Sequence, residues 1–436
     1  MDALWAGLTD GRTAIAPIRR FDPTGFGCRV AAEVPDDPDA GGFDIRAIVP
    51  KSYRKATKVM ARDIELAVVA AATATADAGL VTKATLGGVG EDAAAPTLPP
   101  DRMGCHIGAG LLAAETDELT EALVSSRHAD GSFDVAAWGA GGMNNLTPLW
   151  LLKYLPNMLA CHVTIIHDCQ GPSNTITCAE ASGTLSIGES MRVIERGDAD
   201  ACLSGGAETK VHLMGLLRQQ FADRLVTSVL DDDPAEQVRG VRPFDAESRG
   251  TVLGEGGGLL VLEAIESADR RGAKIRAEVA GFGASQTVGD ESGPVLLDPE
   301  PDGESIAWAI DTALADAGLV AEAVDAILPL GCGIPRIDAA EVAALQRIFG
   351  DRLSSIPLIT PIPAIGNCCA GSGAVGAAIA AQCLHTQRLP ARLNSGRTPG
   401  VDAGAVASRA ADLNVVLVVS TSFGGQNAAL LLRRYG

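Results

Sequence analysis

Short apolar runs alternate with Ala-rich stretches along nearly the whole chain. The unbroken apolar runs at 201–203, 258–262, 326–330 and 415–419 have the composition of strands buried on both faces. The Ala-rich stretches 53–78, 187–196, 306–317 and 339–349 are predicted as helices, each closed by the glycine that follows it: Gly79, Gly197, Gly318 and Gly350. This alternation predicts an α/β protein whose sheets are covered by helices. Two stretches interrupt it. Residues 87–100, rich in Gly, Ala, Pro and acidic residues, and the acidic tract 231–237 are predicted as surface insertions, not as hinges between independent domains.

Two further helix starts are alike. Residues 178–184 read Cys-Ala-Glu-Ala-Ser-Gly-Thr and 367–373 read Asn-Cys-Cys-Ala-Gly-Ser-Gly. Both fill the first turn with side chains small enough for close backbone approach. One reading is tight packing of two buried helices. The other is a duplicated fold whose halves bring equivalent helix N-termini to one central site.

Composition narrows the function classes. A chain of 436 residues has room for two ordinary domains or one large α/β unit, and 47% hydrophobic against 20% charged residues rules out a disordered or coiled-coil chain. The 35 basic and 54 acidic residues leave a net charge of −19, a field that repels polyanions, so no nucleic-acid partner is expected. Ten cysteines lie mostly in apolar or Gly/Ala surroundings, without the short even spacing of a disulfide framework, which points to a reduced, cytoplasmic setting. No C-x-x-C pair occurs, the vicinal Cys368 and Cys369 are a poor clamp for a tetrahedral ion, and only His162 and His167 are near one another, so no metal is expected. The stretch 353–387 is long enough to suggest a membrane span, but Pro357, Pro361, Pro363 and Asn367 break it, and a buried segment is expected instead. Residues 1–11 lack a signal-peptide pattern.

Five motifs, in register over nearly the whole chain, resemble the β-ketoacyl-ACP synthase (ketosynthase) family of the thiolase superfamily. They are Gly-Pro-Ser-Asn-Thr-Ile-Thr from Gly171, Gly-Gly-Ala-Glu ending at Glu208, Arg-Pro-Phe-Asp from Arg242 with Arg249-Gly250 and Gly254-Glu-Gly256 after it, Arg-Ala-Glu-Val-Ala-Gly-Phe-Gly from Arg276, and Phe-Gly-Gly-Gln-Asn from Phe423. The resemblance implies a thiolase-like five-layered αβαβα sandwich of two duplicated halves, here 1–240 and 241–436, and a dimer; no cofactor is expected. It also implies that the N-terminal half lacks the family's first strand, because the segment from Leu4 to Gly11 matches what ordinarily follows that strand.

Family members condense acyl chains with a cysteine at a helix N-terminus and two histidines that polarise the malonyl thioester. That chemistry needs a thiolate favoured by the helix dipole and donors aimed at the enolate oxygen. By the motifs, the cysteine position holds Glu180, the first histidine position Leu330 and the second Asn367. The lysine of the same loop falls on Ile362, while its glutamate partner is retained as Glu341. Cys178, two residues before Glu180, is a displaced thiol with no histidine placed by the motifs to activate it. A carboxylate at a helix N-terminus is stabilised by the dipole and disfavoured by burial, so the sequence leaves the protonation of Glu180 open, with structural or gate-keeping use favoured over acid–base chemistry.

Two features outside the triad bear on partners. Phe423 resembles the phenylalanine that gates acyl entry in elongating ketosynthases; an ordinary core aromatic is the alternative. Lys51, Arg54, Lys55 and Lys58 follow i, i+3, i+4, i+7 spacing and would share one helical face, extended by Arg62. Elongating family members carry basic residues at the first three of these positions to dock the acidic acyl carrier protein; a solvated helix face is the alternative. The resulting expectation is a non-condensing, chain-length-factor-like subunit of type II fatty acid or polyketide synthesis, paired as a heterodimer with an active ketosynthase. An enzyme of altered chemistry using Glu180 and Asn367, a malonyl-ACP decarboxylase or acyltransferase, is the alternative. An acyl-carrier-protein-binding scaffold that forms a homodimer is the third.

Overall fold

The computed structural model describes residues 1–86, 95–227, 233–287, 298–394, 396, 398, 400–402 and 404–436. Two four-stranded sheets organise them. The first holds β1 (Met103–Gly108), β2 (Ser173–Ile176), β3 (Ala201–Glu208) and β4 (Gly256–Glu263) in the order β2-β1-β3-β4, with β4 antiparallel to β3 and the other pairs parallel. The second holds β5 (Glu278–Gln286), β6 (Ala326–Leu328), β7 (Val415–Thr421) and β8 (Gln426–Arg433) in the order β6-β7-β8-β5, with β8 antiparallel to both its neighbours. Leu358 bridges Ile327 in parallel, as β2 flanks β1. The two sheets therefore trace one path twice. Among the described residues no strand beside β4 corresponds to β5 beside β8.

Every residue of β1, β3 and β7 is buried, which is why these strands are apolar or small on both faces. The outer face of the first sheet is covered by α1 (Arg62–Asp77) and α2 (Met158–His167), through a core that includes Ile64, Leu159, Cys105 and Leu203. That of the second is covered by α4 (Glu304–Asp316) and α5 (Pro335–Phe349), through Ile306, Ile310, Ala344 and Leu417. Between the sheets lie α3 (Ser182–Glu195) and α6 (Ser372–Thr386), giving the αβαβα layering. Helix α6 is buried almost all round, which accounts for the uncharged character of 353–387. Among the described residues no helix is long and apolar enough to cross a membrane.

The two middle helices explain the small-residue starts. A Cβ added to Gly183 would lie 2.9 Å from the Ala370 carbonyl oxygen, and one added to Gly373 would lie 2.0 Å from Thr184 Oγ1. Tight packing and duplication are thus the same fact, because the equivalent helix starts of the two halves pack against each other. The structural register pairs Ser182-Gly183 with Ser372-Gly373, so Cys178 corresponds to Cys368, one position from the pairing suggested by the sequence.

The four glycine stops all take positive φ, at 65° for Gly79, 75° for Gly197, 63° for Gly318 and 53° for Gly350. The helix expected over 53–78 begins only at Arg62. Residues Lys51–Tyr53 and Ala56–Val59 form two 3-10 turns, and Met60 and Ala61 are extended, with Met60 buried. A buried anchor in an extended link breaks a helix without disturbing its polar periodicity. The tract 231–237 is not wholly a surface insertion: Asp233 caps the helix Pro234–Gly240, and buried Gln237 accepts from the Arg29 N–H at 2.9 Å and donates to the Gly27 carbonyl at 2.8 Å. Residues 231 and 232 of that tract, and 87–94 of the insertion over 87–100, lie outside the described residues. The boundary expected at 240/241 falls too early by sheet membership, since β4 at 256–263 pairs with β3.

Candidate functional site

Glu180 lies in a 3-10 turn, Ala179–Ala181, that opens α3. The turn is held by Ser182, whose Oγ accepts from the Cys178 N–H at 2.8 Å and donates to the Ala179 carbonyl at 2.7 Å. Ala179 has φ 44°, a left-handed conformation that turns the next side chain off the helix axis and inward. The second half repeats the device before α6, where Cys369 has φ 48° in the turn Cys369–Gly371. There the Asn367 side chain closes the turn, its Oδ1 accepting from the Cys369 N–H at 2.8 Å and from Ser372 Oγ at 3.1 Å. The same side chain donates Nδ2 to Glu180 Oε1 at 3.2 Å, so the two halves meet at the carboxylate.

Two more groups complete the shell. The Phe423 N–H donates to Glu180 Oε2 at 3.0 Å, and Arg224 Nη2 forms an ion pair with Oε1. Arg224 reaches in from the segment after the helix Leu213–Phe221, its guanidinium 4.8 Å from the Phe423 ring centroid. Glu180 is 2% exposed and Arg224 1%, which makes this an internal ion pair. Burial alone would raise the Glu180 pKa, but the Arg224 charge, the backbone N–H groups of Phe423 and Glu180 itself, and the Asn367 amide together bring it below the ordinary glutamate value. The ion pair with Arg224 and the donors on both oxygens thus favour the anion at Glu180, whose protonation the sequence leaves open. Arg224 Nε and Nη1 have no hydrogen-bond partner among the described residues, and the aromatic face of Phe423 supplies part of the compensation.

The two positions that the motifs assign to the first imidazole and to the amine hold Leu330 and Ile362. Leu330 and Ile362 are buried and line a cavity of about 20 Å³ shared with Gly366, Ser372 and Ser420. That space is about the size of one water molecule. Glu341 accepts from the Leu330 and Gly331 N–H groups at 2.8 Å each, and Asp338 accepts from the Phe244 N–H at 2.8 Å and the Gly333 N–H at 3.2 Å. Both carboxyls hold the loop between β6 and α5, and burial pushes Glu341 up to about 8 and Asp338 up to about 6. Glu341 thus keeps a backbone role without its lysine.

The structure brings together Glu180, Asn367 and Phe423, and places Leu330 on the adjoining cavity. Cys178 is half-buried at the start of the turn, and burial raises its thiol pKa, away from a reactive thiolate. His106, His162, His167 and His212 are engaged elsewhere, with Ser190, Tyr53, Thr82 and the Gly215 N–H respectively. Phe423 is 36% exposed, which does not fit an ordinary core aromatic. Lys51, Arg54, Lys55 and Lys58 are exposed, but on two 3-10 turns rather than one helical face. Arg62 is turned inward: it pairs with Glu255 and, at 3.2 Å, with Asp36, donates to the Val34 carbonyl at 2.9 Å, and lies 4.5 Å from the Phe43 ring centroid. It belongs to an interior network and not to the basic surface. Arg224 was missed in the sequence, where it stands alone before an apolar run. The available signal was chemical, since a carboxylate put into a buried helix start needs a compensating cation.

Comparison with known proteins agrees with this framework. Residues 1–268 match the beta-ketoacyl synthase N-terminal domain, and residues 276–395 match the corresponding C-terminal domain. The chain is 30% identical over 434 residues to the 3-oxoacyl-[acyl-carrier-protein] synthase 2 of Synechocystis sp., covering 99% of this chain and 93% of the relative. It is 30% identical over 440 residues to the same enzyme of Vibrio cholerae, covering 100% and 95%. Among solved structures, the ishigamide ketosynthase/chain length factor superposes with a TM-score of 0.79 at 29% identity, covering 100% of this chain and 95% of that one. A beta-ketoacyl synthase from Burkholderia phymatum gives the same TM-score of 0.79 and 29% identity, with the same coverage of 100% and 95%.

Proposed function

The chain belongs to the β-ketoacyl synthase family, and from that premise we propose that it is a non-condensing, chain-length-factor-like subunit of type II fatty acid or polyketide synthesis, pairing with an active ketosynthase and shaping its acyl pocket. One observation carries the reading: at the nucleophile position, the buried Glu180 carboxylate is already saturated by Arg224, Asn367 and the Phe423 N–H. An acyl thioester approaching this helix start would have to displace a charged acceptor from its donors, and would find neither thiolate nor imidazole. Leu330 removes one of the two imidazoles that would polarise a malonyl thioester, the Asn367 amide at the other position is committed to Glu180, and Ile362 removes the lysine. We place carrier-protein docking on the exposed Lys51, Arg54, Lys55 and Lys58, a cationic patch on a chain of net charge −19.

Co-expression with the condensing enzymes of its own genome, followed by native mass measurement, tests the pairing. A one-to-one complex is expected; a homodimer that ignores every condensing enzyme would overturn it. The 3.2 Å contact between Asn367 and Glu180 also supports a second reading, a malonyl-ACP decarboxylase. Against it stands the lowered Glu180 pKa, since a proton-transfer group works best when its pKa is near the operating pH. Purified protein that releases carbon dioxide from malonyl-ACP, and loses this with Glu180→Gln, would favour the second reading.

A further inference from the structure

Strand β4 ends the first sheet with an open edge. Its counterpart in the second sheet, β8, lies between two strands and is buried at six of its eight residues, whereas β4 is flanked by β3 alone and is buried at only two of eight. Among the described residues, no backbone hydrogen bond reaches 256–263 from any segment other than β3. The free side of β4 therefore presents unpaired N–H and C=O groups, and none of the usual devices blunts it. Residues 256–262 contain no proline and no charge, and their register with β3 runs without a bulge. Both faces of the strand are apolar: Leu259 and Val261 pack into the core under α1, and Leu260 and Leu262 into the core around α6. This is the character of a central strand left at an edge.

The strand is also complementary to itself. Its sequence, Gly-Gly-Gly-Leu-Leu-Val-Leu over 256–262, passes from small to large residues. Two copies placed antiparallel about a two-fold axis at Leu259 set Gly256, Gly257 and Gly258 of one opposite Leu262, Val261 and Leu260 of the other. Directly opposed residues share a face in an antiparallel pair, and this register keeps Leu259 and Val261 on the α1 side in both copies. Glu263, the one charge of the strand, lies beyond the paired run and is held by Arg271 at 2.6 Å. Helix α1 contacts both β3 and β4, so the two copies of α1 would lie about 10 Å apart across the axis, a distance at which helices pack.

We infer that the β4 edge is a self-association surface that takes β4 of a second copy of this chain, antiparallel about Leu259, so that the two four-stranded sheets join into one continuous sheet. The pairing satisfies the free backbone groups of both edges and seats the three larger side chains of each copy over the glycines of the other. It uses no residue of the Glu180 centre and stands whether or not the subunit reading holds. In a complex with a condensing partner, the same edge would join two one-to-one pairs.

Sedimentation of the full-length chain alone over a range of concentrations, with amide hydrogen exchange measured on either side of the monomer–dimer transition, tests the assignment. The expected result is a dimer in which the amides of 256–262 that do not bond to β3 exchange at least tenfold more slowly than in the monomer. Leu259→Cys, oxidised with copper phenanthroline, should give a disulfide between residues 259 of two chains. Val261→Cys, on the same face but away from the axis, should give none, and peptide mapping separates either bond from the native cysteines. Should the cysteine variants fail to fold, the exchange of the wild-type chain decides alone. A chain that stays monomeric, a dimer in which 256–262 exchange unchanged, amides already slow in the monomer because another segment covers the edge, or a folded Leu259→Cys without the 259–259 bond would overturn the assignment.

Discussion

At the scale of single residues, the exchange of a thiol for Glu180 is intelligible only with Arg224. A lone carboxylate inside this helix start would be strongly disfavoured, whereas the ion pair, the Asn367 amide and the Phe423 N–H keep it charged and fixed. The expected cost of Arg224→Met is about 3–5 kcal/mol in urea unfolding, because it leaves an uncompensated buried charge. Combining it with Glu180→Gln should restore most of the loss, which a double-mutant cycle reads directly. A cost for the double variant equal to the sum of the two single costs would show that the residues do not act as a pair. The sequence motif located Glu180 because the family spacing is rigid. It could not locate Arg224, whose partner is 44 positions away and lies on a different element.

Among the elements, regular features were legible and local breaks were not. All four glycine stops were readable because a left-handed C-terminal residue is a backbone requirement with a residue-type signature. The stop after Val59 has no such signature: Met60 and Ala61 extend because Met60 is buried, a tertiary cause. The consequence is functional. Lys51, Arg54 and Lys55 remain exposed, while Arg62 is committed to Glu255 and Asp36. Charge reversal at Lys51, Arg54 and Lys55 together should weaken acyl carrier protein binding at least tenfold at low salt, with the difference shrinking as salt rises, and should leave the melting temperature nearly unchanged. Arg62→Glu should instead lower the melting temperature, because it sets a second carboxylate against the buried Glu255. Equal carrier-protein affinity in the triple reversal would remove these turns from the docking surface.

For the whole molecule, the duplicated architecture was legible from five motifs in register, and its consequences for buried titratable groups were not. Burial raises Asp63 to about 7 and Glu341 to about 8, so between their unfolded values and these the native state holds protons that the unfolded chain releases. Their contribution is greatest below the unfolded carboxylate pKa and is lost as pH rises through 7 and 8. His162, His167 and His212 are pushed down to about 4, so their contribution is present above about 6.5 and is lost as pH falls toward 4. The two groups offset each other in mildly acidic solution. Above pH 6.5 these carboxyls act first, joined toward pH 8.5 by buried cysteines such as Cys28, Cys202 and Cys383, whose thiol pKa values burial also raises, so stability should decline from pH 6.5 to 8.5, with Glu341→Gln making the early part of the decline shallower. Stability that rises over that interval would contradict the protonated state assigned to these carboxyls.

Acyl transfer decides the central claim, that the Glu180 centre takes no acyl group. The co-purified complex with its condensing partner would be incubated with acyl-loaded carrier protein, or with cerulenin, and the intact mass of each chain measured. The expected spectrum shows the added mass on the partner alone, with this chain unmodified. An acyl or cerulenin adduct on this chain, mapped to Cys178 or any other cysteine of the central site, would contradict it.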